Sequence, residues 1–225
     1  MTSKTFKKTF VNDPSWLNKA ICEVDRLMEK DGGHDWGHLT RVLSQAYAIA
    51  ASEEFLGCID LEILGAAVLF HDVVNLPKNA PNRREASTFS ADKALDFFET
   101  IFDTDQKAIL RNAIEAHSFS AGIPIQCDEA KIVQDADRLE SVGALAIART
   151  FYVSGLMGST LFHPEDPFGI EREQRNDRKY AVDHFYEKVF LLPDLMNSRY
   201  AKTLAHTRNR FLESFLAQLK SEIEV

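Results

Sequence analysis

Cysteine is scarce in this chain: Cys22, Cys58 and Cys127 are the only three, and no two stand at CxxC spacing. That excludes a disulfide framework and a zinc ribbon, and it points to a reducing, cytoplasmic setting. Basic residues are in the minority as well. The 26 Lys and Arg face 34 Asp and Glu, a formal charge of -8. Broad binding to a phosphate backbone relies on clustered cations, so no stable nucleic-acid complex is expected, and an anionic ligand would need a local basic patch. No apolar stretch approaches the roughly 20 residues that span a bilayer, and the basic start "MTSKTFKKTFVNDPSW" lacks the apolar run of a signal peptide. The expectation is a soluble cytoplasmic protein with no membrane partner. Alternation of strands with helices is absent too, as is any fixed-period repeat.

What is present is helix signal. With 225 residues, 45% of them hydrophobic, the chain can bury a sizeable core in one domain. "NDPSWLNKAICEVDRLMEK" places Asp13 and Pro14 as N-cap and first helical residue, and ends at Gly32 and Gly33. Trp36, Leu39, Leu43, Ala46 and Ala50 recur at spacings of three and four, marking an amphipathic helix. "DLEILGAAVLFHDVV" is apolar nearly all round, as a central buried helix should be. Residues 73–84 read as a loop, followed by helices in "EASTFSADKALDFFETIF" and "TDQKAILRNAIEAHSF", a break at "GIPIQCD", and one helix through "EAKIVQDADRLESVGALAIARTF". "GLMGSTLFHPEDPFGI" is the longest irregular segment, with the composition of a lid. Helices over 174–192 and 197–223 finish the chain. The expected fold is an all-α, single-domain bundle.

Three groups of polar residues interrupt these apolar patterns. His34 and His38 stand one helical turn apart, so they share a face. That spacing suits two ligands of one ion, or one ligand beside a proton donor, and equally a helix-start cap. His71 and Asp72 follow "LGAAVLF" at the negative end of a helix dipole, where a divalent cation is favoured. Asp135 and Asp137 lie in an otherwise apolar helix. Asp135 falls on the inward stripe of Ile132, Leu139, Val142 and Ala146, while Asp137 leads the neighbouring one. A buried carboxylate requires a cation or hydrogen bonds, which Arg138 or Lys131 could also supply. Taken together, the three groups form a mixed His and carboxylate ligand set.

The order "HLTRV", "LFHDV", "DADRLES" resembles the HD superfamily of metal-dependent phosphohydrolases. "HDWGHLTRV", "KIVQDADRLESVGALAIAR" and "HFYEKVF" extend the resemblance to the small bacterial HD proteins related to nucleotide pyrophosphohydrolases. It runs over residues 20–215, leaving residues 1–19 as an N-terminal extension with the start of the first helix, and residues 216–225 as the end of the last. The resemblance implies an all-α domain that binds one divalent ion, with manganese or magnesium favoured over iron, nickel or zinc. The implied activity is hydrolysis of a phosphate ester or anhydride in a small phosphorylated substrate, a nucleotide. It makes His38, His71, Asp72 and Asp137 the metal ligands, with Asp72 and Asp137 also able to accept the water proton. His34 becomes the donor to the leaving oxygen, and Asp135 a residue that orients a ligand imidazole. Substrate contacts are expected from Arg41, His117, Arg138, His184 and Lys188. Lys78, Arg83 and Arg84 are further cations. A nucleotide-sensing module that binds metal and ligand without turnover is the alternative. The oligomeric state stays open, a homo-oligomer through the amphipathic C-terminal helix included.

Overall fold

The computed structural model describes residues 2–28, 35–76 and 80–223. Within them the chain is all-α, with ten α-helices, three short 3₁₀ turns and no β-strand. Its contacts divide it into two units, Met1–Asp137 and Arg138–Val225.

The first unit is organised around α4, Leu61–Phe70, whose residues from Ile63 onward are all buried. An apolar surface on every side can be satisfied only by neighbours on every side. Helices α2 (Leu17–Leu27), α3 (Trp36–Ala50), α5 (Ala86–Phe97) and α6 (Thr104–Glu115) supply them. Asp60 caps α4 by accepting from the backbone N–H groups of Glu62 and Ile63. α7, Asp128–Arg138, closes the unit.

Two features depart from the sequence expectation here. Residues Ser3–Thr9 form a helix, α1, which packs on α3 with Phe6 fully buried against Trp36. α2 begins at Leu17 rather than after Asp13, because Asn12 and Asp13 adopt left-handed backbone angles and the chain first turns through residues 14–16.

In the second unit the long helix expected from residue 129 to 151 is broken. α7 tightens into a 3₁₀ turn over Leu139–Ser141; Val142 is extended, and α8 starts afresh at Gly143 and runs to Leu156. The cause lies in Gly143, which has φ +62 and would bring any Cβ to within 3.0 Å of the Arg208 carbonyl oxygen. Asn209 accepts the freed Gly143 N–H at 3.1 Å.

The segment after α8 is irregular as expected, yet anchored. Phe168 is buried in a core with Val182, Phe185, Val189, Leu212 and Leu216. Asp166 accepts from the backbone N–H groups of Ile170, Glu171 and Arg172, and Arg172 pairs with the buried Asp183. The helix expected over 174–192 is shorter for the same reason. Asp183 also accepts the Asn176 N–H at 2.6 Å, which holds residues 176–180 in a turn. α9 therefore spans only Ala181–Glu187, followed by a 3₁₀ segment Val189–Leu195 and by α10, Arg199–Ile223.

Candidate metal centre

His38 enters the first unit near the start of α3. Asp35 caps that helix, its Oδ1 accepting the His38 backbone N–H at 2.8 Å, which fixes the register of the first turn. His71 arrives from the opposite direction as the C-cap residue of α4. Both rings are buried, and their Nε2 atoms lie 3.3 Å apart.

Asp137, in the last turn of α7, brings Oδ1 to 3.6 Å from His38 Nε2 and 4.0 Å from His71 Nε2. Asp72 places Oδ2 3.5 Å from His71 Nε2 and turns Oδ1 the other way, 3.3 Å from Nε2 of His117. His117 follows α6, and its ring meets that of His71 edge-on at 4.9 Å between centroids. Two donor triads result, His38–His71–Asp137 and His71–Asp72–His117, each with its ligand atoms within 4.8 Å of one another.

Backbone carbonyls set the tautomers. His71 Nδ1 sits 2.8 Å from the carbonyl oxygen of Val68, and His117 Nδ1 sits 2.6 Å from that of Ile114. A carbonyl only accepts, so each Nδ1 carries the hydrogen and each Nε2 faces the cluster.

Protonation follows the surroundings. Burial pulls His71 down to about 4, against the opposing charge of Asp72, so its ring is neutral near pH 7 with a lone pair toward the cluster. Burial would also lower His117, but its hydrogen bond to Asp72 and the Asp72 charge outweigh this and raise it to about 9. For Asp137, burial works upward, and the neighbouring His38 and His71 more than offset it, holding the carboxyl below its usual range.

This donor set fits a divalent cation. Ligands about 2.1 Å from a common ion stand roughly 3 to 3.5 Å from one another, and the Nε2 and carboxylate atoms here are already at 3.3 to 4.0 Å. A mixed imidazole and carboxylate set suits several transition metals and magnesium.

Other expected residues take these places. Asp135 is fully buried in α7. Arg41 is half-buried, and its guanidinium folds back over Gly37: a Cβ there would meet Arg41 Nη1 at 3.2 Å and Asp35 Oδ1 at 2.9 Å. His34 and Lys78 lie outside the described residues. Arg138, His184 and Lys188 belong to the second unit. There Arg138 donates to the Leu195 carbonyl, while His184 Nδ1 and Lys188 Nζ both meet Asp177, at 3.3 and 2.6 Å. Asp177 escapes sequence reading because it sits in the charge-rich run "EREQRNDRK", where no periodicity distinguishes one acid from another. The approach of His117 to Asp72 escapes it as well, since helical periodicity identifies faces and not partners.

A helical unit that gathers H…HD…D donors from three different helices defines a class, and comparison with known sequences gives it a name: the HD domain family matches residues 35–142, and the chain belongs to that family. Among its relatives is YpgQ of Bacillus subtilis, 32% identical over 200 residues that cover 88% of each chain. An HD-superfamily hydrolase from Bacillus thuringiensis superposes with a TM-score of 0.67 at 32% identity, over 92% of this chain and 96% of that one. The crystal structure of Bacillus subtilis YpgQ in complex with ADP superposes equally, TM-score 0.67 at 27% identity, over 97% and 96%. Fold, family and donor set are those of a metal-dependent hydrolase.

Proposed function

We propose that the protein hydrolyses a phosphate ester or phosphoanhydride bond in a nucleotide. The observation that carries this reading is the convergence of His38, His71, Asp72 and Asp137 on one half-buried cluster. The ADP complex of YpgQ supports the nucleotide. Manganese or magnesium is the favoured ion, held by those four residues; when bound it acidifies water and polarises the phosphoryl group.

The chain's own residues do the rest. The Val68 carbonyl keeps the His71 Nε2 lone pair pointed inward, and burial keeps it unprotonated. Asp72 and Asp137 hold negative charge beside the attacking position and can take up the proton that water gives up. Asp135, fully buried two residues before Asp137 in α7, orients a ligand imidazole. His34, four residues before His38, protonates the departing oxygen, a task suited to imidazole. Arg41 offers a guanidinium to the phosphate from the turn that carries His38. Arg138, His184 and Lys188 are further candidates for substrate contacts, and Asp177 holds the last two together.

The test is a screen of nucleotides with manganese and with magnesium, reading orthophosphate and pyrophosphate separately. Release of either by the wild type, lost in His38→Ala and Asp137→Ala together with bound metal, is the expected result. Nucleotide binding without product across all metals would replace the hydrolase by a sensing module.

A further inference from the structure

Two phenylalanines near the start of the chain reach the two helices that carry the buried histidines. Phe6, in α1, is fully buried, and its ring meets that of Trp36 edge-on at 5.6 Å between centroids. Trp36 opens α3 two residues before His38, and its Nε1–H is held by Asp25 Oδ1 of α2 at 3.1 Å. Phe10, the C-cap residue of α1, lies instead against α4. A Cβ on Gly65 would overlap the Phe10 ring and stand 2.8 Å from the Tyr47 hydroxyl oxygen, so the bare glycine is the seat of that ring. Trp16 and Tyr47 enclose the ring edge-on, at 5.5 and 6.3 Å. From this seat α4 runs on to His71.

We infer that α1 is a clamp on the metal centre, with Phe6 and Phe10 as positioning residues that act through α3 on His38 and through α4 on His71. The two Nε2 atoms stand 3.3 Å apart although their helices approach from opposite directions, and metal–ligand distances tolerate errors of only about 0.2 Å. In a close-packed interior a shift of either helix is passed on to the side chain it carries. α1 itself is weakly held. Its seven residues fall short of the roughly 12 to 15 that sustain an isolated helix, and Thr2 supplies no side-chain cap. Docking through the two rings is therefore what keeps it helical, and it belongs with the elements that open locally. Coupling between two such equilibria is reciprocal: undocking α1 weakens the ion, and a bound ion tightens α1. The inference rests on the reading of His38 and His71 as ligands of one ion, and adds to it an N-terminal element that sets how tightly that ion is held.

The full-length protein, stripped with a chelator and checked for folding by circular dichroism, is titrated with Mn2+, the free ion being read from its electron paramagnetic resonance signal. Phe6→Ala and Phe10→Ala should each weaken binding about tenfold, a coupling of ordinary size, and Phe6→Leu should retain most of the affinity. Hydrogen exchange in the wild type gives the reciprocal measurement and needs no variant to fold. Mn2+ should slow the Phe6 and Phe10 amides several-fold, which donate to the Thr2 and Lys7 carbonyls, and leave the first turn of α6 as it was. The clamp is overturned if both alanine variants bind Mn2+ as the wild type does, or if Mn2+ leaves the exchange of α1 unchanged. A wild type that binds no Mn2+, or undiminished binding by His38→Ala, would sink the metal-site reading and the clamp with it; a site that binds through His38 but ignores α1 sinks the clamp alone.

Discussion

At the scale of the residue, the cluster is an arrangement of shifted protons. His117 has its folded pKa raised to about 9 from an ordinary value near 6.5. The stability it contributes is fully present below pH 6.5 and is lost as pH rises through 9. His71 is shifted the other way, to about 4, so its contribution is present above pH 6.5 and is lost as pH falls toward 4. Chelator-treated protein should therefore lose stability between pH 6.5 and 9, and His117→Gln should flatten that slope; urea midpoints across the range provide the measurement. An unchanged slope in the variant would mean that Asp72 does not hold the His117 proton. Gly37 invites a second substitution. A methyl group there meets the Asp35 carboxylate at 2.9 Å and the Arg41 guanidinium at 3.2 Å, so Gly37→Ala should displace Arg41. Because Asp35 also caps the turn that carries His38, its expected signature is a several-fold rise in KM for the nucleotide together with weaker metal binding.

At the scale of the element, the cap and the break matter most. Asp35 holds the first turn of α3 through the His38 N–H, so Asp35→Ala should cost about 1 kcal/mol of stability and weaken metal binding through His38. At Gly143, alanine meets both a positive φ and the Arg208 backbone, and a loss of about 1 to 3 kcal/mol is expected from denaturant unfolding. The same elements mark how far the sequence could be read. α3, α4 and α6 follow from apolar periodicity, and among the polar residues that interrupt it His38, His71, Asp72 and Asp137 come together in the cluster, while Asp135 does not join its donor groups. The break at Val142 was not legible, because "RLESVGALAIA" keeps helical spacing across it and only the distant Arg208 and Asn209 demand the kink. α1 was hidden by its four polar or basic neighbours around Phe6, whose burial depends on Trp36, thirty residues on. The meeting of Asp72 with His117 joins two helix ends 45 positions apart, a pairing that tertiary packing alone decides.

At the scale of the whole molecule, the donor cluster lies entirely within Met1–Asp137. A metal that binds only the folded state stabilises it by about 2.7 kcal/mol at a hundred times its Kd. Saturating manganese should thus raise the melting temperature by roughly 5 to 10 °C, an effect absent from His38→Ala. If the two units melt separately in calorimetry, the metal should move one transition and leave the other in place. No helix among the described residues is long and apolar enough to cross a membrane. With a net charge of -8, the chain should show no retention on duplex DNA at physiological salt.

The carbonyls of Val68 and Ile114 carry a further consequence. Each lies in the last turn of its helix, α4 or α6, and each is tied to an imidazole that faces the same cluster. Loading the cluster would therefore join the two helix ends into a single opening unit. Native-state hydrogen exchange should register this as slowed, synchronised exchange of the amides around both last turns, a record of occupancy that requires no substrate.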